Sequence, residues 1–137
     1  MEWLVNRLLA EPGLHAVVLT GSYARGTHYP HSDVDLWIVH DQLPTRFQDR
    51  HQKILDLITD CKAPIEALVY RVDELRRMLA QFHLGLLDAL AYGKVIYSDG
   101  TWEAFVKEFE SLKARGLRAL PQGWDFSAVD DPFLDQT

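Results

Sequence analysis

The chain predicts an α/β (α+β) domain: a small mixed β-sheet flanked by helices. Three observations carry that expectation. Runs of strand length, β-branched or apolar, occur at 15–20 (HAVVLT), 34–40 (VDLWIVH) and 65–72 (IEALVYRV). Segments with helical apolar spacing stand before, between and after them. The resulting order is helix, strand, strand, helix, strand, then helices. It contains no internal repeat and no interdomain linker, which suits helices packed on one sheet.

Residues 2–11 read as a helix with Trp3, Leu4 and Leu8 on a common side, stopped by Pro12-Gly13. The strand 15–20 follows. Residues 21–32 are turn-rich, with Gly21, Gly26, Pro30 and Ser32, and lead into the strand 34–40. Pro44-Thr45 opens a helix in which Thr45 and Gln48 fit a capping box and Phe47, Ile54, Leu55 and Ile58 form the apolar face. Pro64 precedes the third strand. Asp73 is expected to cap a helix bearing Leu75, Met78, Leu79 and Phe82. A further helix over 83–92 should end at Gly93 in a left-handed stop. Residues 94–97 suit a short edge strand. Thr101 is expected to cap a last helix carrying Trp102, Phe105, Val106, Phe109 and Leu112. Nothing after Leu120 has a period, so the domain is expected over 1–120 with a mobile, acidic tail over 121–137.

At 137 residues and 47% hydrophobic content, with four Trp and six Phe, the chain suits one domain with its own core. No stretch approaches the roughly 20 apolar residues of a membrane span. The N-terminus mixes acid and base and reads as an amphipathic helix rather than a signal peptide. Cys61 is the only cysteine, which excludes an intrachain disulfide and a thiolate metal cluster, so a reducing cytoplasm is expected. The net charge of −6 argues against general nucleic-acid binding. It leaves room for one triphosphate held by local groups and a metal.

The chemistry concentrates in TGSYARGTHYPHSDVDLWIVH, residues 20–40. Alternate residues of a strand share a face, so Asp33 and Asp35 point the same way with Cα atoms ~6.6 Å apart. Carboxylates at that spacing can converge on a pair of cations about 3.5–4 Å apart. Mg²⁺ takes hard oxygen ligands, one or two carboxylates plus substrate phosphates, and it would remove the repulsion between the two acids. Gly21 allows close approach of an anion to the backbone, and Ser22 adds a hydroxyl donor. Asp-x-Asp alone is common in caps and turns, and Gly-Ser alone is a turn. In this order, with strands on both sides, they describe metal-assisted nucleotidyl or phosphoryl transfer. His28, His31 and Tyr29 read as loop residues, and Trp37 as core. Trp102, Phe105 and Phe109 suit core or a partner surface.

These residues resemble the signature of the DNA polymerase beta-like nucleotidyltransferase superfamily: Gly-Ser, ten residues, Asp-x-Asp, with Ala24, Gly26, Ser32 and Leu36 also in agreement. The resemblance is specific over 14–40 and extends through element order to 97. It implies the nucleotidyltransferase fold and a third carboxylate from a neighbouring strand, for which Glu66 is the candidate, although many relatives carry Asp. The implied roles are catalysis and metal binding for Asp33, Asp35 and Glu66, and nucleotide binding for Gly21, Ser22 and Arg25. The implied cofactors are two Mg²⁺ ions, with ATP as substrate.

The short chain is similar to minimal nucleotidyltransferases, many of which act as antitoxins to HEPN-type toxins by transferring AMP to a toxin tyrosine. An enzyme modifying a small molecule such as an aminoglycoside, and a non-catalytic antitoxin of the same fold, are the alternatives.

Overall fold

The computed structural model describes residues 2–10, 12–21, 34–42, 47–58, 65–121 and 123–129. The elements are α1 (Glu2–Leu9), β1 (Leu14–Thr20), β2 (Val34–His40), α2 (Phe47–Ile58), β3 (Ile65–Tyr70), α3 (Val72–Ala80), α4 (Leu84–Tyr92), β4 (Lys94–Ser98), α5 (Thr101–Ala114), β5 (Arg118–Leu120) and β6 (Gly123–Asp125). Four strands form one sheet in the order β3-β2-β1-β4, and β5 and β6 form a separate pair. β1 runs antiparallel to both β2 and β4, whereas β2 and β3 are parallel. A parallel pair needs a long crossover, which α2 supplies. The sheet is therefore mixed and flanked by helices, as the sequence predicts.

β2 lies inside the sheet and is buried on both faces. Val34, Leu36 and Ile38 join Leu4 and Leu8 of α1, Val17 of β1 and Ile54 of α2 in one apolar layer. Trp37 and Val39 join Ala16 and Val18, Leu75 and Leu79 of α3, Leu86 and Leu90 of α4, and Trp102, Phe105 and Phe109 of α5 in the other. Each fully buried Leu or Phe in these layers stabilises the fold by about 1.5–3 kcal/mol. Trp102, Phe105 and Phe109 are buried in the core, so they offer no partner surface.

Three expected helix ends differ from the structure. Helix α3 begins at Val72, with Arg71 as its cap residue in extended geometry. Glu74, not Asp73, accepts the Arg71 backbone N–H at 2.8 Å. The same Glu74 oxygen takes a hydrogen bond from the buried Arg50 guanidinium at 2.9 Å, and Arg50 also reaches the Val69 carbonyl at 2.9 Å. Asp73 instead pairs along the helix with Arg71 and Arg77. A buried cation needs such partners, and it recruits the nearest carboxylate.

Gly93 is extended (φ −66°, ψ 146°), not left-handed. Its missing side chain serves close packing, because a Cβ there would collide with the Ala89 carbonyl and Val18 Cγ1. Thr101 is the first residue of α5 rather than its cap. Asp99 accepts from both the Thr101 backbone N–H (3.0 Å) and the Thr101 hydroxyl (2.6 Å).

The described chain keeps regular structure past residue 120. Beyond it, β6 pairs with β5, Trp124 is buried, and Phe126 stacks on Phe82 with ring centroids 4.7 Å apart. Residues 130–137, the Thr45 capping box, Cys61 and the side chains of Trp3, Phe47, Leu55 and Ile58 lie outside the described residues.

Candidate active site

The sheet register builds the site. Thr20 at the end of β1 is the Cα partner of Asp35 on β2. Asp35 in turn is the Cα partner of Glu66 on β3. Directly paired residues on neighbouring strands project to the same face, so Thr20, Asp35 and Glu66 form a row across one end of the sheet. That face is the one that carries Trp37 and is roofed by α4.

Gly21 begins the chain that leaves this row. Its φ of +70° lies in the left-handed region that favours glycine. A Cβ at this position would overlap the Asp35 carboxylate. Backbone conformation and the nearby acid therefore both require glycine. The Gly21 backbone therefore lies close against the Asp35 carboxylate. Ser22, Arg25 and Asp33 lie outside the described residues.

A cleft of about 390 Å³ opens over the row. Its floor is Thr20, Gly21, Asp35, Leu36, Trp37, Glu66 and Leu68, and its other wall is Gly85, Asp88, Ala89, Tyr92 and Gly93. The volume falls within the roughly 300–1,000 Å³ of small-molecule sites. Among the described lining residues are three carboxylates, Asp35, Glu66 and Asp88, and no Lys, Arg or His. Such walls repel a bare polyphosphate and favour a cation.

Sequence reasoning singled out Asp35, Glu66 and Gly21 and missed the contribution of α4. Asp88 looks like any exposed helical acid, and only the tertiary structure turns it toward the cleft. Its Oδ1 accepts a hydrogen bond from the Trp124 indole N–H at 2.9 Å. Trp124 packs edge-on against Phe109, with centroids 5.5 Å apart.

A second group of acids, also missed, sits where β1 begins and β2 ends. His15 contacts Asp41 through Nε2 at 2.8 Å and Asp99 through Nδ1 at 2.7 Å. Asp41 also accepts the Val72 backbone N–H at 3.0 Å. Burial lowers the His15 pKa, but the hydrogen bonds and charges of Asp99 and Asp41 more than offset this, and the net shift is upward. Burial raises the Asp99 pKa, and the hydrogen bonds from Thr101 and His15 bring it below the ordinary carboxylate value.

Comparison with known proteins adds the family. A nucleotidyltransferase domain model matches residues 1–110. A Methanocaldococcus jannaschii protein, named for a proposed protein adenylyltransferase activity, is 45% identical over 47 residues; the match spans 34% of this chain and 32% of that protein. A chain of a toxin–antitoxin crystal structure with AMP-PNP superposes with a TM-score of 0.58 at 18% identity, covering 82% of this chain and 86% of that one. Spectinomycin adenyltransferase from Enterococcus faecialis, solved with ATP and spectinomycin, superposes with a TM-score of 0.50 at 18% identity, covering 76% of this chain and 58% of that one. These two structures share the fold. No helix among the described residues is long and apolar enough to cross a membrane. With the model match running from α1 into α5 and taking in the whole four-stranded sheet, the chain belongs to the nucleotidyltransferase domain family.

Proposed function

We propose that this nucleotidyltransferase moves AMP from ATP to a tyrosine hydroxyl of a HEPN-type toxin, and so acts in the cytoplasm as that toxin's antitoxin. The observation that carries the transferase chemistry is the row of Thr20, Asp35 and Glu66 beneath a cleft with acidic, base-free described walls. The antitoxin role is supported by the fold shared with the toxin–antitoxin chain. Transfer to protein is supported by the partial match to the named adenylyltransferase.

The residues present fit Mg²⁺. Carboxylate oxygens are its preferred protein ligands, one or two suffice when phosphates complete the shell, and a cation relieves the repulsion among the acids. Asp35 and Glu66, with Asp33, would hold it. When bound, Mg²⁺ supplies charge neutralisation at the phosphates and orients them for in-line displacement.

The chain's own groups do the rest. The Gly21 backbone, Ser22 and Arg25 bind the triphosphate tail. Glu66 takes the proton of the acceptor hydroxyl. That oxygen bonds to the α-phosphorus as the bond from phosphorus to the α,β-bridging oxygen breaks, and pyrophosphate leaves.

The test is incubation with α-labelled ATP, with and without a protein co-purified with this chain. Label on a tyrosine of the partner is the expected result. The shared fold with spectinomycin adenyltransferase favours transfer to a small molecule as a second reading, and label on an added aminocyclitol or aminoglycoside would replace the first. A stable complex without any transfer would reduce the chain to a binding antitoxin.

A further inference from the structure

Asp88 lies in the candidate active-site cleft but stands apart from the row on the sheet. It belongs to the helix wall of the cleft, whereas Asp35 and Glu66 belong to the sheet. It sits mid-way along α4, between Gly85 and Tyr92, which line the same cleft. The surfaces on this side are apolar: Trp37 and Leu68 on the floor, Ala89 beside it on the helix. A carboxylate on the helix wall, across from Trp37 and Leu68, repels a phosphate and gains most from a neutral hydrogen-bond donor.

Asp88 is also held in place from behind. The Trp124 indole can only donate, and its N–H occupies Oδ1 at 2.9 Å. Oδ2 still has acceptor capacity. Trp124 belongs to the β5–β6 pair, which lies beyond residue 110, where the family match ends. Its indole is buried against Phe109 of α5, so this short hairpin fixes a side chain in a cleft that the matched domain alone would leave less defined.

We infer that Asp88 is a specificity-determining residue that accepts a hydrogen bond from the nucleoside part of the bound nucleotide, and that Trp124 is the residue that positions it. The donor is a sugar hydroxyl or the exocyclic amino group of the base. The inference rests on the proposed nucleotide site, and it concerns a different end of the ligand from the reacting phosphate.

Calorimetric titration in the presence of Mg²⁺ tests it. The ligands are ATP, 2′-deoxyATP, 3′-deoxyATP and purine riboside triphosphate, which lacks the amino group. The unmodified protein should bind ATP about ten- to a hundredfold more tightly than at least one of the analogues, and that analogue identifies the donor. Asp88→Ala should lower ATP affinity to that analogue's level and leave the analogue's own affinity unchanged. Asp88 is exposed on a helix, where Ala is well tolerated. Trp124→Phe keeps an aromatic ring but loses the N–H, and it should erase part of the same discrimination.

Equal affinity for all four ligands in the unmodified protein would overturn the inference. So would an Asp88→Ala protein that loses affinity for all four equally, or for none. Discrimination without transfer of label would sink the proposed reaction and leave this inference standing. Absence of nucleotide binding would sink both.

Discussion

At the end of the sheet where β1 starts and β2 finishes, His15 gives each ring nitrogen to a carboxylate, Asp41 at 2.8 Å and Asp99 at 2.7 Å. At the opposite end, Asp35 and Glu66 stand side by side on β2 and β3, under a cleft whose described walls carry a third carboxylate and no base. The two ends have similar acid content and opposite surroundings. At the first end, protein donors satisfy the acids: Val72 and Thr101 add backbone N–H groups to the imidazole. That arrangement ties β1, β2 and the start of α5 together. At the second end, the protein concentrates negative charge toward a space that a ligand can fill. Carboxylates enclosed by their own donors suit an architectural role, and the proposed function gives the carboxylates gathered in the base-free cleft a chemical one.

The comparison breaks most sharply at Glu66. Glu66→Gln keeps the shape and removes the proposed proton acceptor. It should reduce transfer from labelled ATP by roughly 10²- to 10⁴-fold while the thermal midpoint holds or rises. Transfer at the unmodified rate would mean that some other group takes the acceptor's proton.

The next effect tests whether a satisfied acid is architectural. Arg50 is only 4% exposed and bonds Glu74 and the Val69 carbonyl. Arg50→Ala should destabilise the fold by about 2–3 kcal/mol, read from chemical denaturation, because it strands a carboxylate and a carbonyl. An unchanged midpoint would show that the Arg50–Glu74 link contributes nothing to the joint between α2, β3 and α3.

The smallest effect belongs to the His15 clamp, and it depends on pH. The folded-state pKa of His15 lies above its ordinary value of 6.5. Its contribution is therefore complete below 6.5, where the imidazole is charged in both states, and is lost as pH rises through the folded-state value. Asp99, shifted downward, contributes above its ordinary value of 3.8 and loses that contribution as pH falls through its folded-state value. The clamp should thus be strongest between those two ranges. Melting curves of the unmodified protein and His15→Gln should differ most there, by about 1 kcal/mol or less, and converge at alkaline pH. Curves that diverge as pH rises would contradict the assignment.

The sequence reveals different amounts of these two ends. The first three strands show in their apolar runs, and Asp35 and Gly21 stand out because a repelling acid near a strand start and a glycine before it need a reason. Glu66 is readable as a strand-end acid, but its place beside Asp35 depends on the parallel register of β2 and β3, which no local pattern encodes. His15, Asp41 and Asp99 are separated by 26 residues or more, and each looks ordinary in isolation. The Trp124–Asp88 bond spans 36 residues, and one end of it lies in a segment without periodicity. The differing helix ends have separate causes. Asp73 and Thr101 are good capping types, yet the buried Arg50 recruits Glu74 from 24 residues away, and Asp99 serves Thr101 from two residues upstream.

Asp35 carries the central claim, because it stands in the middle of the row and against the Gly21 backbone. The most direct measurement compares transfer from α-labelled ATP by the unmodified protein and Asp35→Asn, with the co-purified partner present and complex formation followed in parallel. The account predicts that Asp35→Asn loses transfer on the order of 10³-fold while it still forms the complex. Transfer by Asp35→Asn at the unmodified rate would contradict it.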